Sequence, residues 1–193
     1  MIDLYWHKEW PHTFIMINWE DINTKKDFAE MLGIKYRQFT YLMYGKHFCN
    51  NYYQFTIPKK NGDDRVISSP NKELKQVQRK LADVLYIRQQ SIWKKNHIQN
   101  KISHGFQKNK SIYTNAKAHR NKRYVVNFDI ENYFDTINFG RVRGFFLKNR
   151  NFMLEEEVAT TIAQLVCYNG SLPQGAPTSP IISNLICNNM DMR

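Results

Sequence analysis

Cysteine is scarce in this chain: three residues in 193, Cys49, Cys167 and Cys187, far apart. No pair has the close spacing of a zinc ligand set, and an odd, scattered count makes no disulfide framework. A reducing, cytoplasmic setting fits that usage. Glycine and proline are also sparse, at eight and six, and no stretch concentrates them into a low-complexity linker. There is no internal repeat. No apolar run approaches the roughly 18 residues of a membrane span, and the N-terminus lacks a basic-then-apolar signal pattern. No membrane partner is expected. Negative charge is short as well: 17 Asp plus Glu stand against 28 Lys plus Arg, a net of +11. What remains is an ordinary apolar content of 42%, enough for one packed domain, or one and a fraction.

The excess positive charge is not spread evenly. Residues 59–123 hold 17 basic and 4 acidic residues, whereas the rest of the chain holds 11 and 13. An even spread would be a solvated surface, but a concentrated block suits a polyanion. Aromatic and imidazole rings lie in the same block, including Tyr86, Trp93, His97, His104, Phe106, Tyr113 and His119. Basic groups contact phosphates and ring faces stack on bases, so nucleic-acid contact is the expectation.

The stretch from Tyr124 to Phe134 organises the rest. Tyr124–Ile130 is β-branched and aromatic, the composition of a buried strand. In a strand, Val125, Asn127 and Asp129 would share one face. A buried carboxylate needs a cation, a donor or water, so Asp129 demands an explanation. It is either a cap on the turn after the strand or a metal-binding carboxylate with an aromatic wall a few residues on.

Around this stretch the periodicities place mostly helices. Thr24-Lys25-Lys26-Asp27 has capping-box character and Gly33 ends the helix it opens; Lys35 to Tyr44 reads as a second helix. The pair is either a helix-turn-helix reader of DNA or a small helical cap on a larger body, and the cap is the commoner use. Tyr52–Ile57 and Arg65–Ser68 alternate as strands around a turn containing Asn61-Gly62. Ser69-Pro70 opens a long helix with Leu74, Val77, Leu81, Val84 and Leu85 on its buried stripe. Residues 96–123 read as loops with short helices around Ser111 to His119. Asn138 caps a helix carrying Val142, Phe145 and Phe146, and another runs from about Met153 to Tyr168, ended by Asn169-Gly170. Ser179 and Pro180 suit the cap and first turn of a last helix bearing Ile181, Ile182, Leu185, Ile186 and Met190.

Four of these stretches, in this order, resemble reverse transcriptases, and most closely the retron-type enzymes of bacteria. They are Arg65-Val66-Ile67 through Gln78; His104-Gly105-Phe106 with Asn115-Ala116-Lys117-Ala118-His119; Phe128-Asp129 through Phe134; and Leu172-Pro173-Gln174-Gly175-Ala176-Pro177-Thr178-Ser179-Pro180. The Asn-Ala-x-x-His element points to the retron branch, and the Gln-Gly stretch is the most specific of the four.

The resemblance implies an α+β, right-hand polymerase architecture: an N-terminal helical segment (1–50), basic fingers (51–123) and a partial palm (124–193). It implies RNA-directed DNA synthesis, in which a primer 3′-hydroxyl attacks a deoxynucleotide α-phosphate with two Mg²⁺ ions on the attacking and leaving oxygens. By resemblance Asp129 bridges both ions and the Ile130 carbonyl ligates one. Arg65 neutralises the triphosphate, Phe134 excludes a ribose 2′-hydroxyl, and Gln174 and Gly175 line the nucleotide pocket. Each has a plainer use, with Phe134 as core, Gln174 as a loop residue and Arg65 as hairpin surface. Lys94, Lys95, Lys108, Lys110, Asn115 and His119 are the candidates for nucleic-acid contact. Implied partners are a structured non-coding RNA that is both primer and template, its single-stranded DNA product, and a defence effector protein, in an anti-phage role.

One departure stands beside the match. Reverse transcriptases carry a Tyr-x-Asp-Asp hairpin after the Gln-Gly motif and its helix, and the only Asp-Asp pair here is Asp63-Asp64 in the fingers turn. One carboxylate cannot hold two Mg²⁺ ions, so the expectation is a chain truncated before that hairpin and catalytically incomplete by itself. The alternative is a non-catalytic nucleic-acid-binding module or a truncated relative.

Overall fold

The computed structural model describes residues 19–45, 51–59, 62–98, 104–107 and 109–191. The aromatic N-terminal stretch before Trp19, Cys49, Lys108 and the side chain of Met190 lie outside the described residues. A single 3₁₀ turn (Trp19–Asp21) precedes helices α1 (Lys25–Met31) and α2 (Tyr36–Tyr44). A hairpin of β1 (Tyr52–Pro58) and β2 (Asp64–Pro70) follows, then the long α3 (Lys72–Lys95), the short α4 (Ile112–Ala118), α5 (Phe139–Lys148), α6 (Glu156–Val166) and α7 (Ser179–Asp191).

Local chemistry explains most of these boundaries. The Thr24 hydroxyl accepts from the Asp27 amide, and the Asp27 carboxylate accepts from the Thr24 amide at 2.8 Å, so the capping box forms as the sequence suggests. The Thr24 hydroxyl also donates to the Asp27 carboxylate at 2.9 Å, and that bond first, with those from the Thr24 and Asn23 amides, holds the carboxyl below its ordinary pKa. Gly33 turns the chain at φ +61 after α1. Ser111 caps α4 in a second reciprocal box, and Asn138 caps α5 through Arg141. The hairpin pairs antiparallel from Tyr52↔Pro70 to Pro58↔Asp64.

Three expected boundaries move. Ser69 and Pro70 stay in β2, and Asn71 caps α3 instead, its side chain accepting from the Leu74 amide at 2.9 Å. The α6 helix starts at Glu156, not Met153, although Leu154 is buried as its stripe requires. Ser179 is already inside α7. Its hydroxyl donates 2.7 Å to the Pro173 carbonyl, and the Thr178 carbonyl accepts the first helical bond from Ile182.

One expected element does not form. Tyr124–Ile130 lies in no ladder and forms no regular element, and Tyr124, Val125, Val126, Phe128 and Ile130 are all exposed, Phe128 at 91%. Among the described residues the β1–β2 hairpin is the only sheet. A strand of this composition is stable when neighbours take its backbone bonds and cover its side chains. No described residue offers that partner here.

The helices share one core. Phe28, Phe39, Leu81, Leu85, Phe146, Ile162 and Leu165 are among its fully buried side chains. The stripe of α3 is buried as its spacing suggests, and α5 lies against α6, with Phe146 edge-on to Phe152 at 5.3 Å. Both α1 and α2 sink their apolar faces into that core, where Phe28 meets Phe39 at 5.8 Å. Tyr44 donates to the Gln164 side chain at 3.1 Å, and Lys25 pairs with Glu157 at 3.4 Å. The helical pair therefore packs against the rest of the core.

Candidate nucleotide site

The cleft that gathers the motif residues is built on three short backbone devices. The first is a turn between α6 and α7. Tyr168 and Ser171 exchange backbone bonds at 2.9 and 3.2 Å across Asn169 and Gly170, whose φ angles are both positive, at 49° and 84°. Two positive φ values are what a two-residue hairpin turn demands, and Asn-Gly supplies them at least cost. The turn is tied sideways: Phe139 donates to the Gly170 carbonyl at 2.8 Å and Leu172 to the Ile137 carbonyl at 3.1 Å.

The second device joins the next loop to the hairpin. The Ser68 amide of β2 donates to the Gln174 carbonyl at 2.8 Å. That approach depends on Gly175, which stands at φ +121. A Cβ placed there would lie 2.8 Å from Ile67 Cγ2 and 2.9 Å from the Ser68 carbonyl oxygen. The third is the turn of residues 131–136, where Thr136 donates to the Asn132 carbonyl and its hydroxyl to Tyr133. It sets the half-buried Tyr133 and Phe134 side by side, ring centroids 5.4 Å apart, against the core. The Tyr133 hydroxyl reaches Cys187 of α7 at 3.2 Å.

Between these devices lies an open cleft of about 640 Å³. Arg65, Asp129, Ile130, Phe134 and Gln174, drawn from three separate stretches of sequence, all line it. Gly175 does not line it but sets the wall. Two cations, Lys59 and Arg65, share the cleft with four carboxylates, Asp64, Asp129, Glu131 and Asp135. A polyphosphate entering such a cleft needs accompanying cations to offset that charge. The oxygen donors are of the kind Mg²⁺ prefers. Yet among the described residues no three His, Cys, Asp or Glu side chains gather closely enough to hold a metal ion.

Sequence reasoning missed several lining residues, including Gln54, Ser68, Tyr168 and Ser171. Tyr168 stacks on Tyr52 at 4.4 Å, and the Tyr52 hydroxyl accepts 2.7 Å from the wholly buried Gln78, which also donates 2.8 Å to the Leu165 carbonyl. This brace runs under the cleft from α3 to α6. Burial pushes both Tyr52 and the neighbouring Cys167 up to about 12. The Asn-Gly dipeptide after Tyr168 was the signal that could have found the turn.

The other candidates lie elsewhere. Lys94 and Lys95 are exposed in the last turn of α3, and Asn115 and His119 are exposed on and just after α4. Lys110 is half-buried, and burial lowers its pKa. None of the five lines the cleft. The Gly105 carbonyl accepts from Asn184 at 3.1 Å, which ties the segment before α4 to α7.

Residues 57–193 match the reverse transcriptase (RNA-dependent DNA polymerase) family, well over half of the chain. The chain belongs to that family. Its relatives are of the retron type. It is 29% identical to the retron Ec86 reverse transcriptase of Escherichia coli over 179 residues, covering 89% of this chain and 50% of that protein. It is 29% identical to the retron Mx162 reverse transcriptase of Myxococcus xanthus, covering 90% of this chain and 38% of the relative. The retron Mx65 reverse transcriptase of the same organism is 28% identical, covering 74% and 35%. The chain thus spans half the length of the first of these relatives, and less of the other two. These three relatives are all retron reverse transcriptases. Among the described residues no helix is long and apolar enough to cross a membrane.

Proposed function

We propose that the cleft binds the incoming deoxynucleoside triphosphate in RNA-templated DNA synthesis. The observation that carries this reading is the meeting of Arg65, Asp129, Phe134 and Gln174 around one cavity. In this reading β1, β2 and the basic block to residue 123 act as fingers. Residues 124–193 form part of a palm, and residues 1–50 a helical cap. Arg65 offsets triphosphate charge with an always-ionised fork. Phe134, wedged against the core, fills the space of a ribose 2′-hydroxyl. Gln174 is held at the cleft wall by its own carbonyl, and Gly175 lets that wall close on β2. Asp129 supplies one carboxylate, and Ile130 one carbonyl oxygen, toward Mg²⁺ ions that the described residues do not by themselves hold.

The template and primer are a structured non-coding RNA, held by Lys94, Lys95, Lys108, Lys110, Asn115 and His119, and the product is single-stranded DNA. An effector protein in anti-phage defence is the further partner. The 193-residue chain alone binds nucleotide and RNA but does not extend a primer.

The test is equilibrium binding of a deoxynucleoside and a ribonucleoside triphosphate to the purified chain in Mg²⁺. The unaltered protein is expected to prefer the deoxynucleotide, and Phe134→Ala to bind both alike. A variant that still rejects the ribonucleotide would make Phe134 a core residue only. Robust primer extension by this chain alone would overturn the incomplete-site reading.

A further inference from the structure

A second cavity, of about 570 Å³, lies between α2 and α3 and shares no lining residue with the nucleotide cleft. One wall presents Arg37, Gln38 and Tyr41 of α2, at one-turn spacing, with Ile34 just before the helix. Its α3 wall presents Glu73, Gln76, Val77 and Lys80 by the same rule. The Lys80 ammonium donates to the Gly33 carbonyl at 3.1 Å, which closes one end and fixes the cation at the rim. Lys72 and Arg79 neighbour Gln76 on the helix surface at i−4 and i+3 and are exposed. Glu73 is the one acidic lining residue. Tyr41 is 63% exposed, so the core does not account for its ring.

The groove combines an apolar floor, an exposed ring at its mouth, two side-chain amides and two cations. An apolar peptide would use the floor and leave the cations idle. A single-stranded polynucleotide uses all of it: phosphates on Arg37 and Lys80, a base stacked on Tyr41, base edges on Gln38 and Gln76. We infer that the α2–α3 groove is a second contact site for single-stranded RNA, set apart from the nucleotide cleft. The inference rests on the functional reading above only for the class of partner.

The test uses the full chain and a fluorescent oligouridylate of about 12 nucleotides, within the usual reach of such sites. Tyr41→Ala should weaken binding at least about 5-fold, as loss of one base stack does. Arg37→Gln with Lys80→Gln should flatten the salt dependence of log affinity by about 1.4, or 0.7 for each lost phosphate contact on a single strand. Tyr53→Ala, a comparably exposed ring outside the groove, should change little. Ultraviolet cross-linking of 4-thiouridine RNA should label Tyr41. Equal losses in the Tyr41 and Tyr53 variants would mean diffuse attraction and overturn the inference. So would unchanged affinity in the groove variants, leaving the groove to a protein partner. If the Lys94 and Lys95 charges matter and the groove does not, the groove alone is wrong. If the unaltered chain binds no RNA, the nucleic-acid reading of the basic block falls with it.

Discussion

Gly175 shows how much one residue can set in this molecule. Its φ of +121 suits glycine, and an added Cβ would meet Ile67 and the Ser68 backbone closer than 3.0 Å. Gly175→Ala should therefore cost on the order of 1–3 kcal/mol of stability, the range for backbone held in a disallowed region. Urea unfolding would measure it, and deoxynucleotide affinity should fall in the same variant because the Gln174 wall is displaced. Cys167 and Tyr52 give a second residue-scale expectation, through pH. Burial raises the thiol from 9.0 and the phenol from 10.0, each to about 12. Both groups are neutral when protonated, so the folded state holds their protons more tightly than the unfolded chain. The stability they contribute is complete below about pH 9 and is lost as pH rises toward 12. Melting temperature should fall steeply above pH 9, and less steeply in Cys167→Ala. Equal slopes would mean that the thiol is not the group responsible.

Among the elements, α3 has the most legible sequence and still hides a feature. Its stripe was plain in the spacing of Leu74, Val77, Leu81, Val84 and Leu85, but Gln78 was invisible as a buried residue because periodicity says nothing about which polar group finds partners. Gln78→Leu would leave the Tyr52 hydroxyl and the Leu165 carbonyl without their donor, and a loss of about 1–3 kcal/mol is expected. Chemical denaturation of the variant would check it. Tyr124–Ile130 fails in the opposite direction. Its composition reads as strand, but composition cannot tell whether a partner exists, and a strand is a property of pairs. Its exposed valines, Phe128 and Ile130 are an apolar surface of the kind that invites association. Val126→Lys with Phe128→Lys should lower self-association at high concentration, as read by light scattering, with little change in melting temperature. If association is unchanged, another surface drives it.

At the scale of the whole molecule, the resemblance to reverse transcriptases singled out Arg65, Asp129, Phe134 and Gln174, and the structure brings them to one cavity although sequence spacing alone fixes no distance between them. The turns that position them were only partly readable, since Gly175's close approach and the Tyr52–Tyr168 stack are tertiary facts. The basic block belongs to this scale too. If residues 59–123 form the RNA surface, affinity for a structured RNA should fall steeply between low and physiological salt. Charge reversal at Lys94, Lys95 and Lys110 should weaken it more than reversal at Lys25 and Lys26. The central claim, however, is the nucleotide cleft itself, and photo-cross-linking tests it most directly. A photoactivatable deoxynucleoside triphosphate, bound to the purified chain in Mg²⁺ and mapped by mass spectrometry, should label the peptides carrying Phe134 and Tyr168–Gln174. The label should be competed by deoxynucleotides and lost in Arg65→Gln. Label outside the cleft, or label that excess deoxynucleotide fails to displace, would contradict the account.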